Sequence, residues 1–445
     1  MRLLLTLVAL TVCPALLGQT THNVPSANYP TIQAAIDAAL DGDAVIVAPG
    51  TYVENIDFLG KAITLTSSGA ADATTIDGSG CTTGVDSCSV VTCASGEGGG
   101  TTLVGFTIVG GLGTVVELDP QGCSGCFTFG GGMFISNASA PTVINCKFAQ
   151  NFATTDGGGI SVRASSHPSI YDCTFESNST DSSGGGLASS EGSNPTVVHC
   201  AFLSNYAAIG SGGGISCLDG DISIQDCEFY SNFAIGGGAI GADNSNLIAV
   251  NCVVSGNSAH SGGGFWASGS NTSIVACSIT GNVAFSTCAG CGGGQGGGVY
   301  LLGVVATIEN TILWENVGGE VFDPGGVSSL SYCCIQGSFP GLGNIGLNPQ
   351  FVDVDGIDNI PGTIDDDLHL LPTSPCINSG NNGNPLLLCW DLDGNSRIVC
   401  GVVDMGAYEA PEPAAGCPPV FTRGDDNGDG AIDVSYDQIL CSGLS

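Results

Sequence analysis

The residues best suited to bind a metal lie near the end of the chain: Asp425, Asn427, Asp429 and Asp433. They carry side-chain oxygens at the first, third, fifth and ninth positions of one run, and a glycine stands at the sixth. Calcium loops place their oxygen ligands and their turning glycine at these positions. The spacing therefore predicts a Ca²⁺ site in the C-terminal tail.

Paired carboxylates are a second candidate, because glycoside hydrolysis uses two of them about 5 to 9 Å apart. Asp172 and Asp226 hold the same place in two copies of a repeat, and two turns of a coil would separate them by about 10 Å. His199 holds that place in the copy between them, and we interpret it as incidental. Asp219 and Asp221 would share one loop. The sequence therefore predicts no catalytic residue.

Cations that a polysaccharide lyase would need are scarce. The chain has 41 Asp and Glu against 6 Lys and Arg, a formal net charge of −35. A chain this negative repels polyanions, which argues against nucleic-acid binding and against lyase chemistry on uronates. The repeated region offers only Lys61, Lys147 and Arg163. We interpret Lys147 and Arg163 as solvated surface residues.

Cysteine chemistry must also be weighed, since the chain has 22 cysteines. Several stand close together outside the main repeat: Cys81, Cys88 and Cys93, Cys123 and Cys126, and Cys288 and Cys291. Histidine pairs at zinc-site spacing are missing from the sequence, so local disulfides are favoured. Zinc binding and redox catalysis stay open as alternatives.

A repeat supplies the elements that would position all these residues. Its cysteines recur every 27 and then every 25 residues; an apolar residue follows each by two positions, and an asparagine by five. The cysteines are Cys146, Cys173, Cys200, Cys227, Cys252 and Cys277; the apolar residues are Phe148, Phe175, Phe202, Phe229, Val254 and Ile279; the asparagines are Asn151, Asn178, Asn205, Asn232, Asn257 and Asn282. A glycine-rich cluster precedes each unit.

The alternation of apolar and polar residues within each unit predicts short β-strands. Stacked turns of such strands, about 4.8 Å apart, would place equivalent side chains on top of one another. We expect Cys and Phe to fill a dry core with the thiols unpaired. We expect each Asn to adopt left-handed backbone geometry and to bond to the Asn of the next turn. A stacked-cysteine metal array and partial disulfide formation remain alternatives.

The chain resembles the right-handed parallel β-helix, or pectin-lyase-like, superfamily. Its opening, residues 29–39 and 42–52, is similar to that of pectin methylesterase-like β-helices, and Ile32, Ile36 and Leu40 would form the apolar face of a capping helix. The Phe-x-x-Asn motifs resemble repeats of polymorphic outer-membrane adhesins. The resemblance implies an all-β right-handed parallel β-helix over residues 20–345, with a short N-terminal capping helix.

Residues 346–410 resemble the module that closes many secreted bacterial β-helices, and we expect it to cover the last turn. The runs that begin at Asp353 and Asp391 alternate oxygen side chains, and we interpret them as solvated turns rather than calcium turns. Residues 411–423 are predicted to be a stiff proline-rich linker.

Residues 424–445 are similar to one half of a type I dockerin. That resemblance implies a fifth calcium ligand, the backbone carbonyl of Ala431, and a cohesin-like partner protein. Tyr436 stands where the family has an acidic residue, so we expect Ca²⁺ to bind weakly.

Residues 1–19 are predicted to be a signal peptide, with Arg2, an apolar run and a small-residue end. No later segment predicts a membrane span. Two functions follow from this reading. The first is a secreted or cell-surface solenoid that binds or adheres to extracellular polysaccharide or another surface component. The second is a polysaccharide lyase or glycoside hydrolase on the same fold; the sequence leans away from an enzyme.

Overall fold

The computed structural model describes residues 19–81, 87–116, 127–269, 271–286 and 294–411. The predicted calcium tail, most of the linker, nearly all of the signal peptide and the two Cys-x-x-Cys pairs lie outside these residues.

Parallel strands form a coil whose turns stack in constant register. The first long sheet has twelve strands, the second eleven and the third ten, and each turn contributes one strand to each sheet in most of the coil. Phe148, Phe175, Phe202 and Phe229 are direct partners in adjacent turns. The all-β, parallel-coil prediction is confirmed.

The strands have the following bounds. The first long sheet contains Thr21–Val24, Ala44–Val47, Thr64–Ser67, Thr102–Val104, Thr142–Ile144, Ser169–Tyr171, Thr196–Val198, Asp221–Gln225, Asn246–Val250, Asn271–Val275, Val305–Glu309 and Ser329–Ser331. The second contains Gly50–Val53, Thr74–Asp77, Thr107–Val109, Lys147–Ala149, Thr174–Glu176, Ala201–Leu203, Glu228–Tyr230, Val253–Ser255, Ser278–Thr280, Ile312–Trp314 and Cys334–Ile335. The third contains Ile56–Asp57, Val91–Cys93, Met133–Ile135, Ile160–Val162, Leu187–Ser189, Ile215–Leu218, Ile240–Asp243, Phe265–Ser268, Val299–Leu302 and Val321–Phe322.

Shorter elements complete the fold. A six-stranded sheet contains Phe152–Ala153, Ser179–Thr180, Tyr206–Ala207, Phe233–Gly236, Ser258–Ser261 and Val283–Ala284. Antiparallel pairings join Gly113–Val115 to Ser87–Cys88 and Thr128–Phe129, and Phe351–Asp353 to Asp367–Leu370. In the described part of the chain, the helices are Ile32–Ala38 and two single 3₁₀ turns, Ala71–Ala73 and Gly78–Gly80.

Columns of identical side chains fill the interior. The rings of Phe175 and Phe202 lie 4.5 Å apart and nearly parallel, and the ladder cysteines are buried and unpaired beside them. The asparagine column is also buried, and each amide bonds to the Asn of the next turn, as from Asn178 to Asn205 over 3.0 Å. The left-handed backbone, however, falls one residue earlier, as at Ser177 and Ser204. The prediction of left-handed asparagines was therefore wrong.

The N-terminal helix Ile32–Ala38 covers the start of the coil. Ile32 and Ile36 are buried beneath it, as predicted. Leu40 lies beyond the helix end and is 73% exposed, so its assignment to the apolar face was wrong; Ala35 and Ala39 are buried instead. The ammonium group of Lys61 donates to the Ile36 and Asp37 carbonyls, where a cation stabilises a helix C-terminus.

The closing segment, residues 346–410, lies along the side of the coil rather than over its end. Its residues Met405 and Tyr408 pack against Val253 and Ile312 of the second long sheet. The last turn is instead covered by the chain near Ile345, whose backbone bonds to that of Cys333 and Ile335. The expectation that this segment covers the last turn is corrected: it buries a lateral apolar face.

Disulfides form only partly as expected. Cys81 and Cys88 are bonded to each other, and Cys389 and Cys400 are also disulfide-bonded. Cys93 is free and buried in a strand of the third long sheet, so its assignment to a loop disulfide was wrong. Among the described residues, no helix is long and apolar enough to cross a membrane.

Candidate functional site

A column of left-handed residues links the first long sheet to the second. Each stands directly before a ladder cysteine, with φ between 50° and 53°: Asn145, Asp172, His199, Asp226, Asn251 and Ala276. All but Ala276 are Asn, Asp or His, which tolerate this conformation at a two-residue corner better than most residues do. Their side chains point outward one above the other. This turn column brings the two aspartates that the sequence singled out to either side of a histidine.

His199 bridges the two carboxylates. Its Nδ1 atom lies 3.7 Å from Asp172 Oδ1, and its Nε2 atom lies 3.3 Å from Asp226 Oδ2. The two carboxylates, with Asp172 contributing most, raise the pKa of His199 to about 10. The interpretation of His199 as incidental was wrong. A periodic sequence shows which residues share a column, but it does not show that their side chains pair.

A cleft of about 600 Å³ opens where the closing segment leans over this column. Glu228 and Asp393 add two more carboxylates to its wall. Asp393 also holds His369, whose Nε2 atom lies 2.8 Å from Asp393 Oδ2 and whose Nδ1 atom lies 2.7 Å from Asp367 Oδ1. These contacts, with Asp393 contributing most, raise the pKa of His369 to about 9.

This acidic cleft is poorly arranged for acid–base catalysis. His199 is protonated at neutral pH, so it has no free nitrogen to accept a proton. Asp172 and Asp226 face its imidazolium rather than an open space between them. No group of three metal-binding side chains occurs among the described residues. His199 therefore does not serve as a general base in this cleft.

Acidic side chains of the closing segment accept hydrogen bonds from backbone N–H groups of the same segment. Asp391 is 2% exposed, and its carboxylate accepts from the backbone N–H groups of Asp393, Asn395 and Glu409. The interpretation of this run as a solvated turn was wrong, because the carboxylate is the centre of a buried hydrogen-bond network.

A second depression runs along the outer face of the third long sheet. The depression has a volume of about 280 Å³, and its lining is rich in hydroxyl groups. The lining residues are Asp156, Ser182, Ser183, Ala188, Ser189, Ser190, Gly210, Ser211, Ser216, Leu218, Asp243 and Trp266. The Ser211 and Ser216 hydroxyls are 3.1 Å apart. Burial raises the pKa of the Asp156 carboxyl. We call this depression the serine groove.

Side-chain size along one column creates the serine groove. The middle outward position of the third long sheet holds Ser161, Ala188, Ser216 and Gly241 in successive turns, and then Trp266. The indole ring lies over Gly236, where an added Cβ would come 3.4 Å from the ring. Ala188 and Ser216 thus form a floor, and the Trp266 indole forms a wall at one end. Ser161, Ala188, Ser216 and Trp266 each come second after their glycine-rich cluster, so the sequence itself carries a signal for this column.

Every Lys and Arg among the described residues is already engaged. Lys147 pairs with Glu176 over 2.6 Å, and its outward direction is confirmed. Arg163 pairs with Glu191 and lies 4.1 Å above the Phe129 ring, with 11% of its side chain exposed, so its assignment as a solvated residue was wrong. Arg397 is fully buried and donates to the Gly406 carbonyl.

Comparison with known families addresses the coil itself. The family described as right-handed β-helix region matches residues 73–241 and, in an overlapping alignment, residues 131–312. Together these alignments span more than half of the 445 residues. The chain belongs to the right-handed β-helix family. The resemblance in the Phe-x-x-Asn repeats to outer-membrane adhesins stays a prediction.

Solved structures similar to this β-helix include polysaccharide-acting enzymes. A pectate lyase shares 12% identity over 88% of this chain and 96% of its own, with a TM-score of 0.49. A carrot pectin methylesterase shares 12% identity over 71% of this chain and 89% of its own, with a TM-score of 0.35. A rhamnogalacturonan lyase shares 10% identity over 79% of this chain and 97% of its own, with a TM-score of 0.32. Comparison with curated proteins gives no match.

Proposed function

We propose that this β-helix is a secreted or cell-surface binding protein that holds an extracellular polysaccharide in the serine groove. The observation that carries the proposal is the indole of Trp266 at the end of a hydroxyl-lined groove. An indole offers an apolar face, and serine hydroxyls both donate and accept hydrogen bonds. A sugar ring has the matching surfaces: apolar C–H faces and a rim of hydroxyls.

The charges around the serine groove favour a polysaccharide without acidic groups. Asp156 and Asp243 line the groove, and carboxylates accept hydrogen bonds from sugar hydroxyls. Arg163, the cation that acts on Asp156, is already paired with Glu191. The carboxylates of a polyuronate would therefore face the carboxylates of the groove, and no free cation among the described residues would offset their repulsion.

Glycan-array binding of the purified protein tests this function. We expect wild-type protein to bind neutral glycans, and Trp266→Ala to lose at least about tenfold in affinity, the equivalent of about 1.4 kcal/mol. Trp390→Ala is the matched control, because Trp390 is 60% exposed on the closing segment, and it should bind as wild type does. Equal binding by all three proteins, or binding only to polyuronates, would contradict the proposal.

Product analysis in the same samples tests the alternative, a polysaccharide lyase or glycoside hydrolase. New reducing ends or unsaturated sugars that accumulate with time would favour the enzyme. We expect neither, because His199 in the acidic cleft has no free nitrogen to accept a proton and the coil cations are engaged.

The calcium tail and export belong to the same proposal. Ca²⁺ held by Asp425, Asn427, Asp429, Asp433 and the Ala431 carbonyl would fold the tail into a docking element for a cohesin-like partner. The signal peptide would deliver the protein to the outside of the cell, where extracellular polysaccharide is found.

A further inference from the structure

Trp266 is the first of three aromatic residues that stand in successive turns at the end of the serine groove. Its register partner in the next turn is Tyr300, and the partner of Tyr300 is Phe322. The Tyr300 and Phe322 rings are stacked with their centroids 5.0 Å apart. The floor of the groove therefore does not continue past the indole, because the following turns carry a large ring at the same outward position.

The same column reaches an aromatic residue in the opposite direction as well. Ser161 is paired with Ala188 in the turn that follows it and with Phe134 in the turn before it. Phe134 and Trp266 are five turns apart in this column, which corresponds to about 24 Å. Only small residues stand between them. The stretch of small residues is therefore short and has a ring-bearing residue at each end.

Lining residues also bound the serine groove along both of its long sides. Ser183 and Ser211 stand on the side where the chain enters the third long sheet. Leu218 and Asp243, which are register partners in adjacent turns, stand on the other side. The volume of about 280 Å³ is near the lower end of the range for ligand pockets, which begins at about 300 Å³. The groove is therefore a short trough that a ligand enters from above.

We propose that the serine groove binds a terminal sugar unit of a neutral polysaccharide, at a chain end or at the tip of a side branch. This inference rests on the proposed function of the groove. A unit inside a chain has a neighbour on both sides, and a chain laid along the floor would collide with the indole of Trp266. A terminal unit has one neighbour only, so it enters the trough while the rest of the chain stays outside.

The groups around the trough match the chemistry of a terminal unit. The indole of Trp266 offers an apolar surface to the C–H groups of the sugar ring. The Ser211 and Ser216 hydroxyls, 3.1 Å apart, donate and accept hydrogen bonds, and the Asp243 carboxylate accepts them. A terminal unit has a free hydroxyl where an internal unit carries the next glycosidic bond. That additional hydroxyl gives the polar lining one more group to bind.

Binding of the full-length protein to linear oligosaccharides of different length tests this inference. Cello-, manno- and xylo-oligosaccharides of two to six units are immobilised through their reducing ends, so each molecule presents one terminal unit whatever its length. We expect the affinity for any series that binds to change by less than about threefold with length. A groove that holds internal units would gain contacts with each added unit, so an affinity that rises about tenfold or more would overturn the inference.

Removal of side branches extends the test to polysaccharides. Galactomannan and arabinoxylan are compared before and after enzymatic removal of their single-sugar branches, at equal mass. We expect each polysaccharide that binds to lose at least about tenfold in affinity when it is trimmed. Unchanged binding after trimming would overturn the inference and leave the proposed function standing. Failure to bind any neutral glycan would instead overturn the proposed function itself.

Ala188→Leu fills the floor of the trough and provides a variant test. We expect it to weaken binding at least about tenfold, because the terminal unit needs that space. Ser169→Leu is the matched control, since Ser169 stands at an outward position of the first long sheet, and it should bind as wild type does. Melting temperatures close to that of wild type show that both variants keep the fold. Wild-type affinity in a folded Ala188→Leu protein would overturn the inference, because the sugar would then lie above the rim.

Discussion

Asn178 and Asn205 are joined by two hydrogen bonds that recur down the coil. The backbone N–H of Asn178 donates to Asn205 Oδ1 over 3.1 Å, and its side-chain Nδ2 donates to the same oxygen over 3.0 Å. Asn178 Nδ2 also donates to the Phe148 carbonyl. Each buried amide in the middle of the column therefore uses both donors and both acceptor sites. No other side chain of this size offers that combination, so the column selects asparagine.

Loss of one member of this column should destabilise the coil strongly. Asn205→Ala would leave two buried donors of Asn178 without a partner, at about 1 to 3 kcal/mol each. We expect the free energy of unfolding to fall by at least about 2 kcal/mol. Asn246→Ala is the control, because Asn246 bonds to Asp221 in an exposed column and should cost about 0.5 kcal/mol or less. Urea unfolding measures the loss of stability in each variant. Similar losses in the two variants would argue against a stabilising role for the buried amide hydrogen bonds.

The phenylalanine stack should be equally sensitive to truncation. Phe202 is completely buried between Phe175 and Phe229, with ring centroids 4.5 and 4.8 Å away. Phe202→Ala would leave a cavity and cost about 3 to 5 kcal/mol. Phe233 stacks on Tyr206 at a similar distance, 5.0 Å, but on the outside of the coil. Phe233→Ala should therefore lower the free energy of unfolding less than half as much in the same measurement. A larger loss of stability in Phe233→Ala than in Phe202→Ala would contradict the placement of Phe202 in the core.

Periodicity explains which parts of this molecule could be predicted from the sequence. The 27-residue spacing defines the columns of Cys, Phe and Asn, and stacking follows from the geometry of parallel strands. The place of the closing segment could not be read in this way, because it depends on contacts between distant residues such as Val253 and Met405. The burial of Arg163 could not be predicted for the same reason, since Phe129 and Glu191 belong to other turns.

The stability that His199 adds should depend on pH. Its folded-state pKa of about 10 exceeds the ordinary value of 6.5, so its contribution is fully present below pH 6.5 and is lost as pH rises to about 10. Because 59% of the side chain is exposed, the contribution should not exceed about 1 kcal/mol. We expect His199→Gln to be less stable than wild type at pH 6 and equal to it at pH 10.

Urea unfolding at both pH values measures that difference. His167→Gln is the control, because His167 is exposed and its Nδ1 atom accepts only a backbone N–H, from Asn194. Its difference from wild type should be the same at pH 6 and at pH 10. A gap between His199→Gln and wild type that grows with pH would mean that Asp172 and Asp226 do not hold an imidazolium.

Calcium should bind the tail weakly and through the acidic run alone. Asp425, Asn427, Asp429, Asp433 and the Ala431 carbonyl supply five oxygens, fewer than the six to eight that Ca²⁺ prefers, so water must complete the shell. Without a bidentate carboxylate at the twelfth position, we expect a dissociation constant of about 10⁻⁴ to 10⁻³ M, as in extracellular modules.

Calorimetry on the full-length protein should show this binding in wild type and in Asp181→Ala, which removes an exposed carboxylate from the coil. Asp425→Ala and Asp429→Ala each remove one ligand and one charge, so each should abolish the heat at millimolar calcium. Heat that persists in both would place the bound calcium elsewhere in this strongly negative chain.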